Sequence, residues 1–508
     1  MKKIFRTLFC MGAVVSAATF TSCNNDDDGG NMTNPPVAEK PNLEFYGLTS
    51  SNSLVKYNAN NSTTVMATTP VTGLQASENL LSIDFRPGTG QLYGLGSTNQ
   101  LYIINTATGA ATAVGAPFTP AVAGTMVGFD FNPTVDRIRV VTSSGQNLRL
   151  HPETGAVAAT DGNLNPGTPN VGSAAYTNNM SGASATELFV IDFTTKMLYK
   201  QDPPNDGNLT SIGNLEITEN VSGDGGFDIA PTGNVALANF TSAGMDHLYQ
   251  INLMSGKATD LGMLSTSIIG IAIPTSPVAY AVDGSNNLHI FNFMSPGTPV
   301  TKVIAGLQPS ENVVGIDMRP VTGQLFALGS TGRIYVINTA TGATAMVGAG
   351  PVATLEGSDF GFDFNPLVDR IRIVSDSGQN LRVNPNDGLL VATDGALNPG
   401  SPMVTAVAYT NSFPGTTSTA LFDIDSATDM LYKQDPPNAG TLMPIGALGI
   451  DVMDANGFDI GGTSNTGYAI LTVGTSSKIY SINLMNGTAT AIADFPAAVN
   501  GFAVGLGF

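Results

Sequence analysis

The hydrophobic and polar positions of this chain alternate in short runs that are separated by turn-forming residues. The pattern is clear in Ile83–Pro87, Gln91–Leu95, Leu101–Asn105 and Gly109–Gly115, which have Gly, Pro, Asn or Thr residues between them. A period of two residues bounded by such turns predicts antiparallel β-strands. We find no convincing helical period along the chain. The sequence therefore predicts an all-β protein built from four-stranded units.

The unit repeats, and a larger segment that contains it is duplicated. Its first strand returns at Phe129–Pro133 and Phe227–Pro231, and more loosely near Phe45 and Ala174, which gives about five units of 40–50 residues. The stretches Gly128–Leu150 and Gly361–Val383 match at 18 of 23 positions with an offset of 233. Four-stranded units at this spacing are typical of β-propeller blades. We predict two propeller-like repeats, at residues 43–275 and 276–508.

The end of each repeat indicates how a ring closes. Ile268–Ile273 and Gly501–Leu506 have the character of innermost strands, whereas the first unit, which starts at Leu43, lacks such a strand before it. A last strand that completes the first blade closes a ring and removes its exposed edges. Because each repeat carries its own closing strand, we predict two tandem rings of about five blades. One ten-bladed ring is the alternative.

Three motifs characterise the repeats. They are GxDFNPxxDRIRxxSxxGQNLRxNPxxG, TDGxLNPG and YKQDPPN; the second repeat matches the first motif in full, and the first repeat has Thr142 and His151 at its Ser and Asn positions. Together they resemble the domain-of-unknown-function family 4394 of bacterial secreted and surface proteins, over nearly all of residues 43–508. The resemblance implies an extracellular setting. It implies no substrate and no catalytic residues, because the family is uncharacterised.

The first 42 residues resemble the start of a bacterial lipoprotein. Lys2, Lys3 and Arg6 precede an apolar stretch of about a dozen residues, which is too short to span a bilayer and is typical of a secretory signal. The sequence Phe-Thr-Ser-Cys ending at Cys23 resembles a lipobox, although Phe20 stands where an aliphatic residue is usual. We predict a signal peptide at 1–22, lipidation of Cys23 and an acidic flexible tether at 23–42. The expected location is the outer membrane, lipid-anchored and facing the cell exterior.

Composition excludes several functional classes. Residues 23–508 contain 17 Lys and Arg against 39 Asp and Glu, and this acidity disfavours nucleic-acid binding. The two cysteines, Cys10 and Cys23, leave no disulfide or thiolate chemistry in the repeats. Neither repeat shares a histidine with the other, so no Ser-His-Asp site is common to both. The three histidines are His151, His247 and His289.

Arginine is concentrated in two equivalent places, which makes it the first candidate for ligand binding. The candidates are Arg137, Arg139, Arg149, Arg370, Arg372 and Arg382. Alternation along a strand puts Arg137 and Arg139 on one face, where a pair can hold a carboxylate or sulfate group. The structural alternative is that these arginines pair with aspartates of the blades and lock neighbouring strands. The sequence favours that alternative.

A second set of candidates is the aspartate of the first strand in each unit. If these strands line a channel, the carboxylates converge there and can ligate Ca²⁺, although no calcium-loop motif is present. The alternative, which we favour, is that each carboxylate accepts hydrogen bonds from backbone N–H groups of an adjoining blade. No other cofactor is expected. The residues are Asp84, Asp130, Asp228, Asp317, Asp363 and Asp459.

An enzymatic function would have to rest on carboxylates alone. Glu78 and Glu311 are the candidate acids of a glycoside hydrolase or lyase, with the aspartates as partners. The chain has no tryptophan, and Tyr93, Tyr102, Tyr176 and Tyr409 are core candidates before they are sugar platforms. We therefore favour a non-enzymatic surface module that binds an extracellular protein or polysaccharide. The hydrolase or lyase is the alternative, and the sequence does not indicate the oligomeric state.

Overall fold

A computed structural model describes residues 40–219, 221, 225–242, 244–453 and 456–508. These residues contain forty β-strands in ten separate antiparallel sheets of four strands each. Two short 3-10 helices, Pro204–Asp206 and Pro437–Ala439, are the helical segments among the described residues. Within these ranges, no helix has the length and apolar character needed to cross a membrane. The predicted all-β fold is confirmed.

The first twenty strands form ring one. They are β1 Glu44–Leu48, β2 Ser53–Asn58, β3 Ala67–Pro70, β4 Leu80–Phe85, β5 Leu92–Gly96, β6 Leu101–Ile104, β7 Ala111–Val114, β8 Val127–Asn132, β9 Arg137–Thr142, β10 Asn147–Leu150, β11 Val157–Thr160, β12 Val171–Tyr176, β13 Leu188–Asp192, β14 Met197–Gln201, β15 Leu209–Asn214, β16 Phe227–Ile229, β17 Ala236–Ser242, β18 Met245–Ile251, β19 Ala258–Met263 and β20 Gly270–Ala272.

The other twenty strands form ring two. They are β21 Ala279–Asp283, β22 Asn287–Phe291, β23 Val300–Val303, β24 Val313–Met318, β25 Leu325–Gly329, β26 Ile334–Ile337, β27 Thr344–Val347, β28 Phe360–Asn365, β29 Arg370–Ser375, β30 Asn380–Val383, β31 Leu390–Thr393, β32 Val404–Tyr409, β33 Leu421–Asp425, β34 Met430–Gln434, β35 Leu442–Ala447, β36 Gly457–Ile460, β37 Gly467–Val473, β38 Ser476–Ile482, β39 Ala489–Phe495 and β40 Val499–Val504.

Each sheet is one blade, and the inner strands of neighbouring blades contact each other around a closed circuit. In ring one, β4 contacts β8, β8 contacts β12, β12 contacts β16, β16 contacts β20, and β20 returns to β4. In ring two the same circuit runs through β24, β28, β32, β36 and β40. The chain therefore forms two five-bladed rings, and the ten-bladed alternative does not hold.

The last strand of each repeat completes the first blade of that repeat, as the sequence predicts. In ring one, β20 pairs antiparallel with β1 through Tyr46 and Ala272, so the first blade is β20-β1-β2-β3. In ring two, β40 pairs with β21 through Ala279 and Val504, and the first blade is β40-β21-β22-β23. The second to fifth blades are continuous in sequence: β4–β7, β8–β11, β12–β15 and β16–β19 in ring one, and β24–β27, β28–β31, β32–β35 and β36–β39 in ring two.

The hydrophobic core lies between the blades. A typical cluster joins Tyr93 and Leu101 of the second blade to Phe131 and Val140 of the third, all of them almost fully buried. Close approach at the inner strands requires a residue without a side chain. A Cβ atom on Gly128 would lie 2.7 Å from the backbone nitrogen of Ala174 in the next blade. This explains the glycine that begins both copies of the GFDFNP motif.

The two rings contact each other directly. The hydroxyl group of Tyr280 donates to the backbone oxygen of Gly88 at 2.9 Å, and Arg86 donates to the backbone oxygen of Thr322 at 3.1 Å. Gly507 of ring two also donates its N–H to Thr89 of ring one. These bonds bring the turn after β4 against ring two.

Candidate functional site

The predicted arginine candidates of ring two lie together in a cleft between the third and fourth blades. The cleft has a volume of about 250 Å³. We call it the arginine cleft, and it is lined by Arg370, Arg372, Arg382, Tyr409, Pro436, Pro437 and Asn438, among others. The strand β29 supplies Arg370 and Arg372, which alternation puts on one face, and Arg382 comes from the neighbouring strand β30.

Two of these arginines are fixed by one aspartate. Arg382 donates to both carboxylate oxygens of Asp394 at 2.7 and 2.9 Å, and Arg372 donates to the same group at 2.7 Å. Arg372 is only 2 % exposed and donates further to Asn380 and Asn438. Burial acts to raise the pKa of Asp394, but the hydrogen bonds from Arg382 and Arg372 outweigh it and the pKa is lowered. Asp394 therefore remains a carboxylate.

Ring one repeats this arrangement with matching distances. Arg149 donates to both oxygens of Asp161 at 2.8 and 2.9 Å, and Arg139 donates to Asp161 at 2.6 Å. Arg139 also donates to Asn147 and to Asn205 of the YKQDPPN motif. Four of the six predicted arginines thus pair with an aspartate of their own blade, as the structural alternative describes, and Arg139 and Arg372 also bond to an asparagine of the next blade.

The remaining two arginines are different. Arg137 donates to the backbone oxygen of Asp136 at 2.7 Å, and Arg370 donates to that of Asp369 at 2.8 Å. Neither makes an ion pair with any residue that the structure describes. Each follows an exposed valine, Val135 or Val368, at 46 % and 52 % exposure. The arginine cleft of ring two therefore has one cation with no carboxylate partner among the described residues, beside an apolar rim, whereas the equivalent Arg137 of ring one lines a cavity that faces ring two.

A further arginine cluster escaped the sequence analysis. Arg86 is 3 % exposed, binds both oxygens of Asp136 at 2.9 and 2.5 Å, and also binds Glu153 at 2.9 Å. In ring two, Arg319 binds Asp369 in the same way, and Asn386 replaces the glutamate. The signal was present, because Arg86 and Arg319 occupy equivalent positions before a proline, in DFRP and DMRP.

The predicted aspartates converge in two sets of three, one in each ring. One carboxylate oxygen from each of Asp84, Asp130 and Asp228 lies within 4.8 Å of the other two, and the same holds for Asp317, Asp363 and Asp459. We call each set an aspartate belt. Alanine stands at the two other inner-strand positions of each ring: Ala175 and Ala272 in ring one, and Ala408 and Ala503 in ring two.

Each belt aspartate accepts backbone hydrogen bonds that join two blades. Asp84 accepts from its own neighbour Phe85 at 2.7 Å and from Phe131 of the next blade at 2.8 Å. Asp228 bonds in the same way to Ile229 and Ile273, and ring two repeats the pattern. This is the role that the sequence favours for these residues.

The belts are poorly suited to calcium. Ca²⁺ takes six to eight oxygen ligands, whereas each belt offers three carboxylates that already accept backbone hydrogen bonds, beside two alanines. Burial raises the pKa of Asp84 and Asp130 well above the usual range and that of Asp228 to about 7. We therefore expect the carboxyl groups to share protons.

The carboxylates proposed for glycosidic chemistry are held as structural acceptors. Glu78 is 4 % exposed and accepts from the Tyr102 hydroxyl, from Gln75 N–H, and from the N–H and hydroxyl of Thr98. Glu311 is held likewise. Burial would raise the pKa of Glu78 and Glu311, but these hydrogen bonds outweigh it and the pKa is lowered, which does not suit a general acid.

The tyrosines considered as sugar platforms are all core residues. None is more than 1 % exposed, so none presents a face to a ligand. They are Tyr93, Tyr102, Tyr176 and Tyr409. The histidines are separated in the fold: His247 pairs with Asp260 at 2.9 Å, His289 with Asp283 at 3.0 Å, and His151 lines a cavity near Arg137.

The expected signal peptide, the lipidation residue Cys23 and nearly all of the tether lie outside the described residues, which begin at Lys40. Their prediction rests on the sequence alone.

Comparison with known proteins identifies a family. No curated protein matches the chain. Among solved structures, the chain is similar to PorZ, a bacterial surface component of the type-IX secretion system of Porphyromonas gingivalis, at 13 % identity and a TM-score of 0.25. That match covers 88 % of this chain, which spans 65 % of that protein's chain. The model of a domain of unknown function, DUF4394, matches residues 53–272 and again 287–503. The chain therefore belongs to the DUF4394 family and carries two copies of its domain.

Proposed function

We propose that this protein is a non-enzymatic binding module, lipid-anchored through Cys23 at the outer membrane and facing the cell exterior. Its ligand is an acidic extracellular polysaccharide, held in the arginine cleft of ring two. One observation carries the proposal. The cleft contains the pair Arg372 and Arg382 fixed by Asp394, and beside it Arg370, which has no carboxylate partner among the described residues.

The fixed pair gives the cleft its shape. Because Asp394 binds both Arg372 and Arg382, their guanidinium groups are already ordered before a ligand arrives. Arg370 is then the group that offers N–H donors to a ligand carboxylate or sulfate, and such charge-assisted bonds are among the stronger hydrogen bonds in proteins. Pre-ordering reduces the entropy lost on binding.

The surrounding charge supports selectivity. The chain carries a formal charge of −19, so a polyanion is repelled from most of its surface. Binding then depends on the local positive charge of the cleft.

The test measures binding of polygalacturonate by biolayer interferometry, with neutral dextran as the reference polymer. We expect polygalacturonate alone to bind, and Arg370→Gln to weaken binding about tenfold, which corresponds to about 1.4 kcal/mol.

Arg333→Gln is the matched control. Arg333 is another arginine of ring two, and ring one has Gln100 at the equivalent position. This variant removes the same charge and should bind like the wild type. Equal binding of dextran, or an equal loss in Arg333→Gln, would overturn the proposal.

A further inference from the structure

The two rings together line an open cavity of about 390 Å³, which neither ring forms alone. Ring one lines it with ionisable side chains, among them Arg137, His151 and Glu153. Ring two lines it with neutral polar groups, including Gln324, Asn338 and Thr339, and with small apolar residues. The volume is within the range of small-molecule sites.

Some charged groups in this cavity have no partner of opposite charge among the described residues. Arg86 binds both oxygens of Asp136, but only Oε1 of Glu153. In the described chain no hydrogen bond reaches the second oxygen of Glu153, and Arg137 has no ion pair. The cavity thus offers one free cation and one free carboxylate oxygen.

The state of His151 adds a neutral hydrogen-bonding group. Burial lowers the pKa of His151, and the nearby charge of Arg137 lowers it further. At neutral pH the imidazole is therefore uncharged, with one nitrogen that donates and one that accepts.

The ionisable pair is specific to the copy that faces this cavity. Ring two has Asn384 and Asn386 where ring one has His151 and Glu153. Asn386 still accepts a hydrogen bond from Arg319 at 2.8 Å, so an asparagine is enough to support the turn. The fold itself therefore does not require the imidazole and the carboxylate of ring one.

We propose that the cavity between the rings binds a hexuronic acid, with its carboxylate on Arg137 and its hydroxyl groups on Glu153, His151 and the polar side chains of ring two. An amino acid would satisfy Arg137 and Glu153 but would leave those neutral polar groups unused. This inference goes beyond the proposed function, because the cavity is distinct from the cleft of Arg370.

The experiment uses the three histidines as reporters. In protein labelled with ¹³C-histidine, sodium D-glucuronate should move the signal of His151 saturably, while His247 and His289 stay in place. Glucose and acetate should bind at least tenfold more weakly. Glu153→Asn, which introduces the ring-two residue, should weaken glucuronate binding about tenfold.

Unchanged signals of His247 and His289 in Glu153→Asn show that the variant is folded. Arg370→Gln should leave the glucuronate-induced shift of His151 unchanged, because Arg370 lies outside the cavity, so a failure of the polysaccharide proposal is distinguishable from a failure here. The inference is overturned if His151 does not respond saturably, if Glu153→Asn binds with unchanged affinity, or if alanine binds as tightly as glucuronate.

Discussion

Asp423 and Arg372 lie on adjacent blades of ring two, yet the carboxyl group of Asp423 makes no hydrogen bond with Arg372 or with any other described residue. Asp423 is 0 % exposed, on β33, while Arg372 uses its donors on Asp394, Asn380 and Asn438. Burial raises the pKa of Asp423 well above its usual range, although the charge of Arg372 acts to lower it. Ring one has Val190 at the same position.

Replacing Asp423 with the ring-one residue should stabilise the protein. We expect Asp423→Val to increase the free energy of unfolding by about 1–3 kcal/mol at pH 7, because it removes an unpaired polar group from an apolar layer. Since the folded pKa is raised, the wild type loses stability as pH rises from the unfolded value of about 4. The stability gain of Asp423→Val should therefore be smaller at pH 4 than at pH 7, which urea unfolding at both pH values measures.

The reciprocal variant is the control. Val190→Asp places the same group in the equivalent layer of ring one, where Val190 is 0 % exposed. It should destabilise the protein, and more at pH 7 than at pH 4. A wild-type stability for Val190→Asp, or a loss in Asp423→Val, would contradict this account.

The aspartate belts predict a second pH effect. Because burial raises the pKa of Asp228 and Asp459 to about 7, the folded state binds protons that the unfolded state has released. The temperature of thermal unfolding, Tm, should therefore decrease as the pH is raised from 5 to 8. The double variant Asp228→Asn, Asp459→Asn keeps an acceptor oxygen at each position and should show a shallower fall.

The same titration tests calcium. We expect differential scanning fluorimetry to give equal midpoints with EDTA and with millimolar CaCl₂ at each pH. A midpoint that calcium raises at pH 8, and that EDTA lowers again, would show that the belts bind the ion.

The proposed anchor makes a third prediction. Cys23→Ser removes the thiol that receives the acyl chain, so the protein should leave the membrane fraction of the expressing cells and lose incorporation of a palmitate analogue. Cys10→Ser should behave like the wild type, because Cys10 lies within the expected signal peptide. Membrane recovery of Cys23→Ser would contradict lipidation at this residue.

The sequence predicts the two rings but not the contact between them. Alternation, turn residues and the offset of 233 define the blades, and the strands near Ile271 and Val504 indicate closure because the first unit lacks an inner strand. Whether an arginine forms an ion pair depends on where Asp161 and Asp394 lie once the chain has turned back on itself. Strand periodicity does not predict those positions. The inter-ring cavity depends on packing between two separately closed rings, and no repeat motif describes it.

The pairing of β1 with β20 has a consequence for the order of assembly. Tyr46 meets Ala272 more than two hundred residues later in the chain, and Ala279 meets Val504 at a similar separation. Neither ring can close until its last strand is available, so the first blade keeps an open edge until then. The entropic cost of closing a loop rises only logarithmically with its length. Contacts between residues so far apart in sequence nevertheless slow folding. Once a ring has closed, its first blade can open only when the first and last strands of the repeat separate from each other.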